Sequence, residues 1–542
     1  MTLSTPPAVA DAPPAVPGRR QVPRGWALAA VVAVLAVGVV LRCITPGPLW
    51  LDETLSVNIA RLSPAELLRA LHHDGSPPLY YLLLHGWMAL FGTGDQAVRS
   101  LSVVISVAQL PLFWLLARRL AGPRVALVTL LVAASSPFAV RYASETRMYG
   151  LLSLEALLLG LALHLAGRRP GWRSGVAVFV PAALLLYTHY WALFVLLTLG
   201  AVALWRAVRR REPAAVTVVA GLVAAGIAFL PQLPTFLFQS AHTGAPWAAG
   251  ARPQDLLDTV STWSGPGSWG AGVLVVALLA LVVAFAGDRR GTAAPAAEVP
   301  GGAAAAVAAR GPLVLRGRGV PPGRRWVLAL AAPLAVTELI TLATHQGFTI
   351  RYTSVVWPLW PLCLGFGLVL LGRGRALTVA TVLLLVGSLA GSLVTARAPR
   401  TQAGQIAARV AALAVPGDVL GYCPDQLAPA VDRALGHVRG APVLRQVTFA
   451  DALGPTGVDW RDYAQRVTAA DPAAFAAELD RLAGPSRPVF LAAQDGYKPF
   501  SDDCARIAEV LRQLRGTPVV QLSPNGRAYE RASLLSFDPA RP

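Results

Sequence analysis

The chain has 542 residues, of which 55% are hydrophobic and only 14% are charged, and its mean hydropathy is +0.53. In a soluble globular protein about a quarter of the residues are charged, so this composition indicates a polytopic membrane protein. The formal net charge of +18 comes mostly from arginine clusters between apolar runs, where they set membrane topology; it does not indicate nucleic-acid binding.

The chain begins with a stretch rich in proline and alanine, residues 1–24, which predicts a disordered cytoplasmic tail. The apolar run from Trp26 to Cys43 is long for the hydrophobic region of a signal peptide, and no Ala-x-Ala cleavage site follows it before Asp52. We therefore expect this run to cross the membrane from the inside to the outside.

Eleven apolar segments are predicted to span the membrane, because about twenty predominantly apolar residues are needed for one crossing. We assign the arginine clusters between spans to the cytoplasm, and this assignment gives every span a consistent direction. An odd number of spans places the C-terminal part outside. The predicted spans are 25–45, 97–117, 124–141, 148–167, 174–188, 190–206, 215–235, 270–287, 326–344, 354–372 and 376–396.

One further hydrophobic stretch, residues 78–92, is short for a span, at about fifteen residues, and contains His85. If it crossed the membrane, the arginine pair that begins at Arg118 would lie outside. We therefore expect an amphipathic helix at the outer interface, within a first outer loop of residues 46–96.

The second half of the chain contains two regions of different character. Residues 288–325 are dominated by alanine, glycine and proline, which predicts a flexible cytoplasmic loop without a function of its own. Over residues 397–542 helical patterns alternate with short strand patterns, which predicts a small extracytoplasmic α/β domain of mixed or parallel type. Cys423 and Cys504 lie in this domain and can form a disulfide if the domain is outside the cytoplasm.

The unusual polar residues all fall in turns that this topology places on one side of the membrane. A cluster of ionisable groups in a mostly apolar protein is a hypothesis for a functional site. The first outer loop carries Asp52 and Glu53 and, further along, Asp74 before a Pro-Pro-Leu-Tyr80 sequence. The other outer turns contribute Glu145, Arg147, Tyr149, His189, Arg351 and Tyr352.

These residue types suit one reaction. Arg147 and Arg351 can bind phosphate oxygens with their forked guanidinium groups, and Tyr149 and Tyr352 beside them suit both the membrane interface and a sugar ring. A carboxylate can deprotonate an acceptor hydroxyl, and a lipid phosphate leaves as a stable anion. One acid plus cations therefore suffices for glycosyl transfer from a lipid-phosphate sugar, and we predict Asp52 as the general base.

Several of these residues also have structural alternatives. Arg147 can be an interfacial anchor, and His189 can be a hydrogen-bonded interface residue. Glu53 can merely orient its neighbour, because adjacent residues need not face the same cleft. Glu155 and Glu338 lie within predicted spans, where a carboxylate is costly, and we expect each to have a partner on a helix.

Four spaced motifs within residues 25–372 resemble those of a known superfamily, the integral-membrane glycosyltransferases called GT-C. The nearest members are the glycosyltransferase 39 and RgtA/B/C/D-like group, akin to protein O-mannosyltransferases and the lipid A aminoarabinose transferase. The motifs are Trp50-Leu-Asp52-Glu53, Asp74-Gly-Ser-Pro77-Pro78-Leu-Tyr80-Tyr81, Glu145-Thr-Arg147-Met-Tyr149 and Arg351-Tyr352.

The resemblance implies a polytopic α-helical GT-C fold with a long first outer loop, and an inverting transfer from a polyprenyl-phosphate sugar. It implies that Asp52 is the catalytic acid, with Glu53 and Asp74 as the accompanying acids of the loop. These three carboxylates can hold a divalent metal, which some members of the superfamily need and others do not. We expect the donor to contact Arg147, Tyr149, Arg351, Tyr352, Glu145, Tyr80 and His189.

We therefore predict a plasma-membrane enzyme that moves a sugar, with mannose expected, to an envelope glycan, lipid or protein on the outer face. A transporter or flippase of lipid-linked sugars is the alternative, since it would need the same phosphate contacts. No internal repeat is evident, however, and the polar groups lie at the outer rim rather than near the midplane. A non-enzymatic envelope assembly protein is a third option, but it would leave the loop around Asp52 without a purpose.

Overall fold

The computed structural model describes residues 24–44, 47–243, 250–289, 313–315, 323–344, 347–372, 374–450 and 453–538. Within them the chain forms a bundle of apolar helices, and a small α/β domain packs on the loops at one end of the bundle. The predicted tail lies almost entirely outside the described residues, as does most of the predicted loop of residues 288–325.

The bundle and its loops contain seventeen α-helices among the described residues. These are α1 (Arg24–Cys43), α2 (Leu51–Ala60), α3 (Pro64–Asp74), α4 (Leu79–Phe91), α5 (Asp95–Ala121), α6 (Pro123–Ser135), α7 (Pro137–Ala143), α8 (Tyr149–Arg168), α9 (Trp172–Thr188), α10 (Ala192–Arg210), α11 (Pro213–Phe229), α12 (Leu233–His242), α13 (Asp255–Ser264), α14 (Gly267–Ala286), α15 (Arg324–Ala343), α16 (Leu359–Leu370) and α17 (Arg375–Arg397).

Eight helices in the described part of the chain are long and apolar enough to cross a membrane: α1, α5, α8, α10, α11 with its continuation α12, α14, α15 and α17. A ninth crossing is possible for α6 and α7, which form a pair bent by 56°. The shorter apolar helices α9 and α16 occupy the two remaining predicted spans. Each of the eleven predicted segments thus contains a helix or a helix pair, and the chain is a multi-pass membrane protein.

The bend between α6 and α7 is stabilised by an arginine on another helix. Pro137 has no N–H and begins a new helix, so the last carbonyls of α6 have no partner within their own helix. The guanidinium of Arg42 on α1 donates to the carbonyls of Ala133 and Ala134 at 2.8 and 2.6 Å, and to Ser106 Oγ at 3.0 Å. Arg42 is buried because it caps this helix end.

The two acids predicted to lie within spans differ in their partners. Glu155 on α8 accepts a hydrogen bond from Thr188 at 2.8 Å, so the expected helix partner is present. Neither carboxylate oxygen of Glu338 on α15 accepts a hydrogen bond from the described residues, so that prediction was wrong for Glu338.

The first loop folds into three helices that carry the predicted acids. Helix α2 begins just before Asp52, and α3 ends at Asp74. The next residue, Gly75, caps the helix with a φ of +81°, a conformation that favours glycine. There is also no room for a side chain, because an added Cβ at Gly75 would lie 2.4 Å from Thr243 Oγ1. The sharp turn at Gly75 returns the chain into α4, the helix predicted over residues 78–92, which is 13 residues long.

Part of the predicted flexible loop forms a short antiparallel pair. Strand β1 (Gly287–Arg289) pairs with β2 (Leu313–Leu315) at the end of α14. This pairing orders two short parts of a loop, residues 288–325, for which the composition predicts flexibility throughout.

The C-terminal domain consists of helices on a five-stranded sheet, among the described residues. Its elements are α18 (Ala403–Leu413), β3 (Val419–Cys423), α19 (Ala428–His437), β4 (Arg445–Thr448), α20 (Tyr463–Ala469), α21 (Pro472–Ala483), β5 (Val489–Ala493), α22 (Asp503–Arg515), β6 (Val519–Leu522) and β7 (Ser533–Phe537). The strand order is β4-β3-β5-β7-β6. Strand β3 is parallel to β4 and β5, and β7 is antiparallel to β5 and β6, so the sheet is mixed, as predicted.

The domain is joined internally by a disulfide and externally to the first loop. Cys423 at the end of β3 and Cys504 at the start of α22 form the disulfide that the sequence allowed, with their Cα atoms 5.4 Å apart. Trp50, Leu51 and Leu55 from the first loop are buried within the domain's own hydrophobic core. The start of α2 is therefore held between the bundle and the domain, and this fixes the position of Asp52.

Candidate active site

Asp52 lies in the first turn of α2 and forms an ion pair with an arginine from the other half of the bundle. Arg351 Nη1 donates to Asp52 Oδ2 at 2.8 Å, and both side chains are 14% exposed. Arg351 belongs to a 3-10 helix, Ile350–Val355, which precedes α16. Two residues 299 positions apart in the sequence are thus in direct contact, as the predicted convergence of outer turns required.

This ion pair lines a cavity of about 220 Å³ between the bundle and the C-terminal domain. The bundle side also contributes Trp50 and Leu51. The other lining residues all belong to the C-terminal domain and are Pro424, Gln426, Leu427, Trp460, Gln494, Tyr497, Tyr529 and Glu530. The floor of the cavity therefore carries an acid and a cation, and its roof is aromatic and polar.

Arg147 extends the polar site along the first loop. Its Nη1 donates to Ser56 Oγ at 3.0 Å and to Tyr81 Oη at 3.2 Å, and Tyr81 in turn donates to the carboxylate of Asp74. Ser56 donates to the main-chain carbonyl of Asp52 at 2.7 Å. Asp74 therefore reaches the site through Tyr81 and Arg147 rather than by lining the cavity with Asp52.

Glu53 lies beneath the cavity floor and is completely buried. Arg99 on α5 binds it with both Nε and Nη2, at 2.8 and 2.6 Å. Arg400, at the entrance to the C-terminal domain, donates at 3.3 Å, and the backbone N–H groups of Thr146 and Trp50 donate at 2.9 and 3.4 Å. Glu53 therefore connects the first loop, α5, the turn before α8 and the domain.

The charge on Glu53 is stabilised by this environment. Burial alone would raise the pKa of the Glu53 carboxyl, but the charges of Arg400 and Arg99 and the Thr146 N–H outweigh it and lower the pKa to about 2. Glu53 is thus an anion at neutral pH, and its oxygens accept hydrogen bonds from these donors. The alternative that Glu53 orients its neighbour fits this geometry better than a catalytic role, and we propose the orienting role below.

An aromatic cluster lies beside Arg351, on the side of the bundle. Tyr352 packs with His189 at 4.5 Å and with Tyr149 at 6.2 Å between ring centroids, and Trp191 packs against Tyr352 at 5.2 Å. Burial, together with the charges of Arg147 and Arg351, lowers the pKa of His189 to about 3. A neutral imidazole and three other rings thus form one wall next to the two arginines.

Of the seven predicted donor-binding residues, Arg351 is the one that lines the cavity in the described part of the chain, and Tyr80 and Glu145 make their contacts elsewhere. Tyr80 is fully buried, and its hydroxyl is 3.4 Å from Ser102 Oγ in the core of the bundle. Glu145 is buried and forms an ion pair with Arg141 at 3.2 Å. Neither side chain lines the cavity with Asp52. For these two residues the structure shows a packing role and an ion-pair role.

The three acids considered as metal ligands are not brought together. Within the described ranges, no three side chains of histidine, cysteine, aspartate or glutamate are grouped so as to hold a metal ion. Glu53 is occupied by two arginines, and Asp74 binds Tyr81. These residues do not fit a divalent metal, and we derive no step through one.

Sequence reasoning missed two groups of residues at the site. Arg99 and Arg400 complete the charge balance of Glu53, and Glu530 and Tyr529 face Asp52 from the domain. Both arginines lie next to span ends, where they are indistinguishable in sequence from topology signals. The position of Arg400, three residues after the end of α17 and at the start of the C-terminal domain, was the signal available for a role on the active-site side.

Comparison with known proteins agrees with the fold. Residues 75–234 match the family model of dolichyl-phosphate-mannose-protein mannosyltransferases. Among solved structures, the chain is similar to ArnT from Cupriavidus metallidurans bound to undecaprenyl phosphate, with 16% identity and a TM-score of 0.54 over 94% of this chain and 98% of that chain. No curated protein sequence matches the chain.

A more distant likeness is to an oligosaccharyltransferase from Archaeoglobus fulgidus tethered with an acceptor peptide. Its identity is 11% and its TM-score 0.39, over 71% of this chain and 57% of that chain. The family match and the fold together confirm the superfamily that the motifs predicted. Asp52 and Arg351 lie outside the matched residues 75–234, so their roles rest on the geometry described above.

Proposed function

We propose that this membrane glycosyltransferase of the GT-C superfamily transfers a sugar from a polyprenyl-phosphate donor to a cell-envelope acceptor, with inversion at the anomeric carbon. Mannose is the sugar we expect, because the matched family is described as transferring mannose from dolichyl-phosphate mannose. The observation that carries the proposal is the ion pair of Asp52 with Arg351 on the floor of the cavity. It joins a carboxylate suited to general-base catalysis with a cation suited to phosphate.

In the proposed reaction Asp52 takes the proton of an acceptor hydroxyl, and the oxygen attacks the anomeric carbon. The bond between that carbon and the phosphate oxygen breaks, and polyprenyl phosphate leaves with one additional negative charge. Arg351 and Arg147 stabilise this charge where it develops. The leaving group needs no proton donor, since the phosphate leaves as an anion.

Arg351 has a second role in this proposal. In the free protein it is bound to Asp52, so a donor phosphate competes with Asp52 for the same guanidinium. Donor binding then frees Asp52 for the acceptor hydroxyl. Glu53 and Asp74 act as positioning residues: Glu53 holds the start of α2, and Asp74 holds Arg147 through Tyr81.

We further propose that the site faces the outside of the plasma membrane. The disulfide between Cys423 and Cys504 supports this orientation, because disulfides persist in oxidising compartments. The arginine clusters at the ends of α5, α8 and α10 support it too, since cytoplasmic ends of spans are enriched in arginine. Both signals are independent of the catalytic residues.

The direct test is transfer of labelled sugar by the purified full-length protein in lipid nanodiscs. Synthetic polyprenyl-phosphate donors carrying mannose, arabinose or glucose would be offered with envelope glycan, lipid and peptide acceptors. We expect turnover with one donor, and an inverted linkage in the product by NMR. Donor binding or translocation without turnover would overturn the proposed enzymatic activity and favour a transporter of lipid-linked sugars.

Replacing Arg351 by lysine should raise the KM for the donor about ten- to a hundredfold, because a charged hydrogen bond of a forked guanidinium contributes about 1.5–3 kcal/mol. The KM for the acceptor should change much less. Steady-state kinetics with each substrate varied in turn measures both values. Arg481→Lys, at an exposed site on α21, is the matched control. An unchanged donor KM in Arg351→Lys would contradict the phosphate contact.

A further inference from the structure

The roof of the cavity differs chemically from its floor. The C-terminal domain contributes three aromatic rings, Trp460, Tyr497 and Tyr529, and two side-chain amides, Gln426 and Gln494. Among the described lining residues, the domain contributes no lysine or arginine. The cation of the floor, Arg351, is already paired with Asp52.

Such a wall suits a neutral molecule with many hydroxyl groups. Aromatic rings pack against the apolar faces of sugar rings, and amides hydrogen-bond to their hydroxyls. An acceptor that carries a phosphate or carboxylate where it meets this wall would find no cation to balance it. At about 220 Å³ the cavity is also smaller than the roughly 300–1,000 Å³ of pockets for drug-sized ligands, so it suits one small unit.

Glu530 adds a carboxyl group to this wall. Its backbone is held beside Arg400 and Gln402 by hydrogen bonds of 2.7 and 3.1 Å. Its side chain lines the same cavity as Asp52, and the Oε2 atom is buried without a hydrogen-bond partner among the described residues. A buried polar atom without a partner costs stability unless a ligand can bind it.

The position of the wall indicates which substrate it meets. The donor phosphate is carried by a lipid, and Arg147, Arg351 and the rings of Tyr149 and Tyr352 lie toward the bundle. The wall lies on the opposite side of Asp52, in the domain beyond the ends of the spans. An acceptor arriving from water must therefore pass the domain before its hydroxyl reaches Asp52.

We infer that the C-terminal α/β domain forms the acceptor subsite and that the acceptor is the terminal, uncharged sugar unit of a glycan. Tyr497 and Tyr529 pack on the sugar ring, and Glu530 hydrogen-bonds to a hydroxyl next to the one that reacts. This inference rests on the proposed function and names the acceptor class for the same site. The pKa of the Glu530 carboxyl agrees: burial, with Asp52 and Glu53 nearby, raises it to about 8, so the group can donate a hydrogen bond.

The experiment compares two variants of the full-length protein with the wild type. Tyr529→Ala removes a ring that is 65% exposed, and Glu530→Gln keeps the shape of the side chain, so both should fold. The acceptor probes are methyl glycosides of mannose, glucose, galactose and arabinose, beside a serine- and threonine-containing peptide and a phosphate-bearing glycolipid. Donor hydrolysis without any acceptor is measured separately.

We expect a methyl glycoside to serve as acceptor and its KM to rise at least tenfold in both variants. The donor KM, measured at saturating acceptor, should change much less than the acceptor KM. Glu478→Gln, at an exposed position of α21, is the matched control and should change none of these values.

Other outcomes separate this inference from the function it rests on. If the wild type neither transfers nor hydrolyses any donor, the proposed function is wrong, and so is the inference that rests on it. If the wild type turns over but uses only the peptide or the charged lipid, the acceptor class is wrong. If the variants raise the donor KM instead of the acceptor KM, the wall belongs to the donor and the inference is overturned.

Discussion

Replacing Asp52 by asparagine is expected to lower the rate of sugar transfer by about 10²–10⁴-fold, the usual contribution of a general base. Asparagine has nearly the same shape but cannot accept the acceptor's proton. The same change breaks the ion pair with Arg351, so the guanidinium becomes free for phosphate. We therefore expect kcat to fall while donor affinity is maintained or improved.

Single-turnover transfer and equilibrium donor binding, measured on the same preparation, separate these two effects. Glu478→Gln removes the same single negative charge at an exposed site far from the cavity and serves as the control. The thermal midpoint should be close to that of the wild type, because Asp52 is partly exposed and has one ion-pair partner among the described residues. Turnover at the wild-type rate by Asp52→Asn would remove Asp52 from the mechanism.

The grouping of these residues could be predicted from the sequence, because a membrane strongly constrains the path of the chain. Twenty apolar residues define a span, and arginine clusters define its direction, so turns far apart in sequence are assigned to one side. That assignment places Asp52 and Arg351 on the same side of the membrane, and in the structure the two side chains are in contact. The prediction reaches the level of turns that share a surface, which was sufficient to group the proposed base with the cation.

What sequence could not provide is the direction in which each side chain points. Asp52 and Glu53 are adjacent and chemically alike, yet on a helix they are about 100° apart. One faces the cavity, and the other faces Arg99 and Arg400 in the interior. The roof of the cavity was missed for a related reason: Trp460 and Glu530 meet only when the domain folds back over the first loop.

Replacing Glu53 by alanine should destabilise the protein by about 3–5 kcal/mol, the cost of leaving a buried charge without its partner. Arg99 is 1% exposed and Arg400 is 7% exposed, so neither can turn to water. The variant should unfold at a clearly lower temperature in detergent. Glu509→Ala, which breaks an exposed ion pair with Arg512, should lower the stability far less, because solvent screens that pair.

The positioning role of Glu53 also predicts that acid lowers the stability of the protein, which a catalytic role would not predict. Glu53 has a usual pKa near 4.5 and a pKa of about 2 in the folded protein, so the unfolded chain binds a proton first as the pH falls. The stabilisation that the charged Glu53 gives to the folded protein is therefore complete above about pH 4.5 and is lost as the pH falls toward 2. Glu53→Gln should lack this part of the acid-induced loss, which thermal midpoints between pH 6 and 3 would measure. If Glu53→Gln instead kept the wild-type midpoint at every pH and lost only turnover, Glu53 would be catalytic and the positioning role would be wrong.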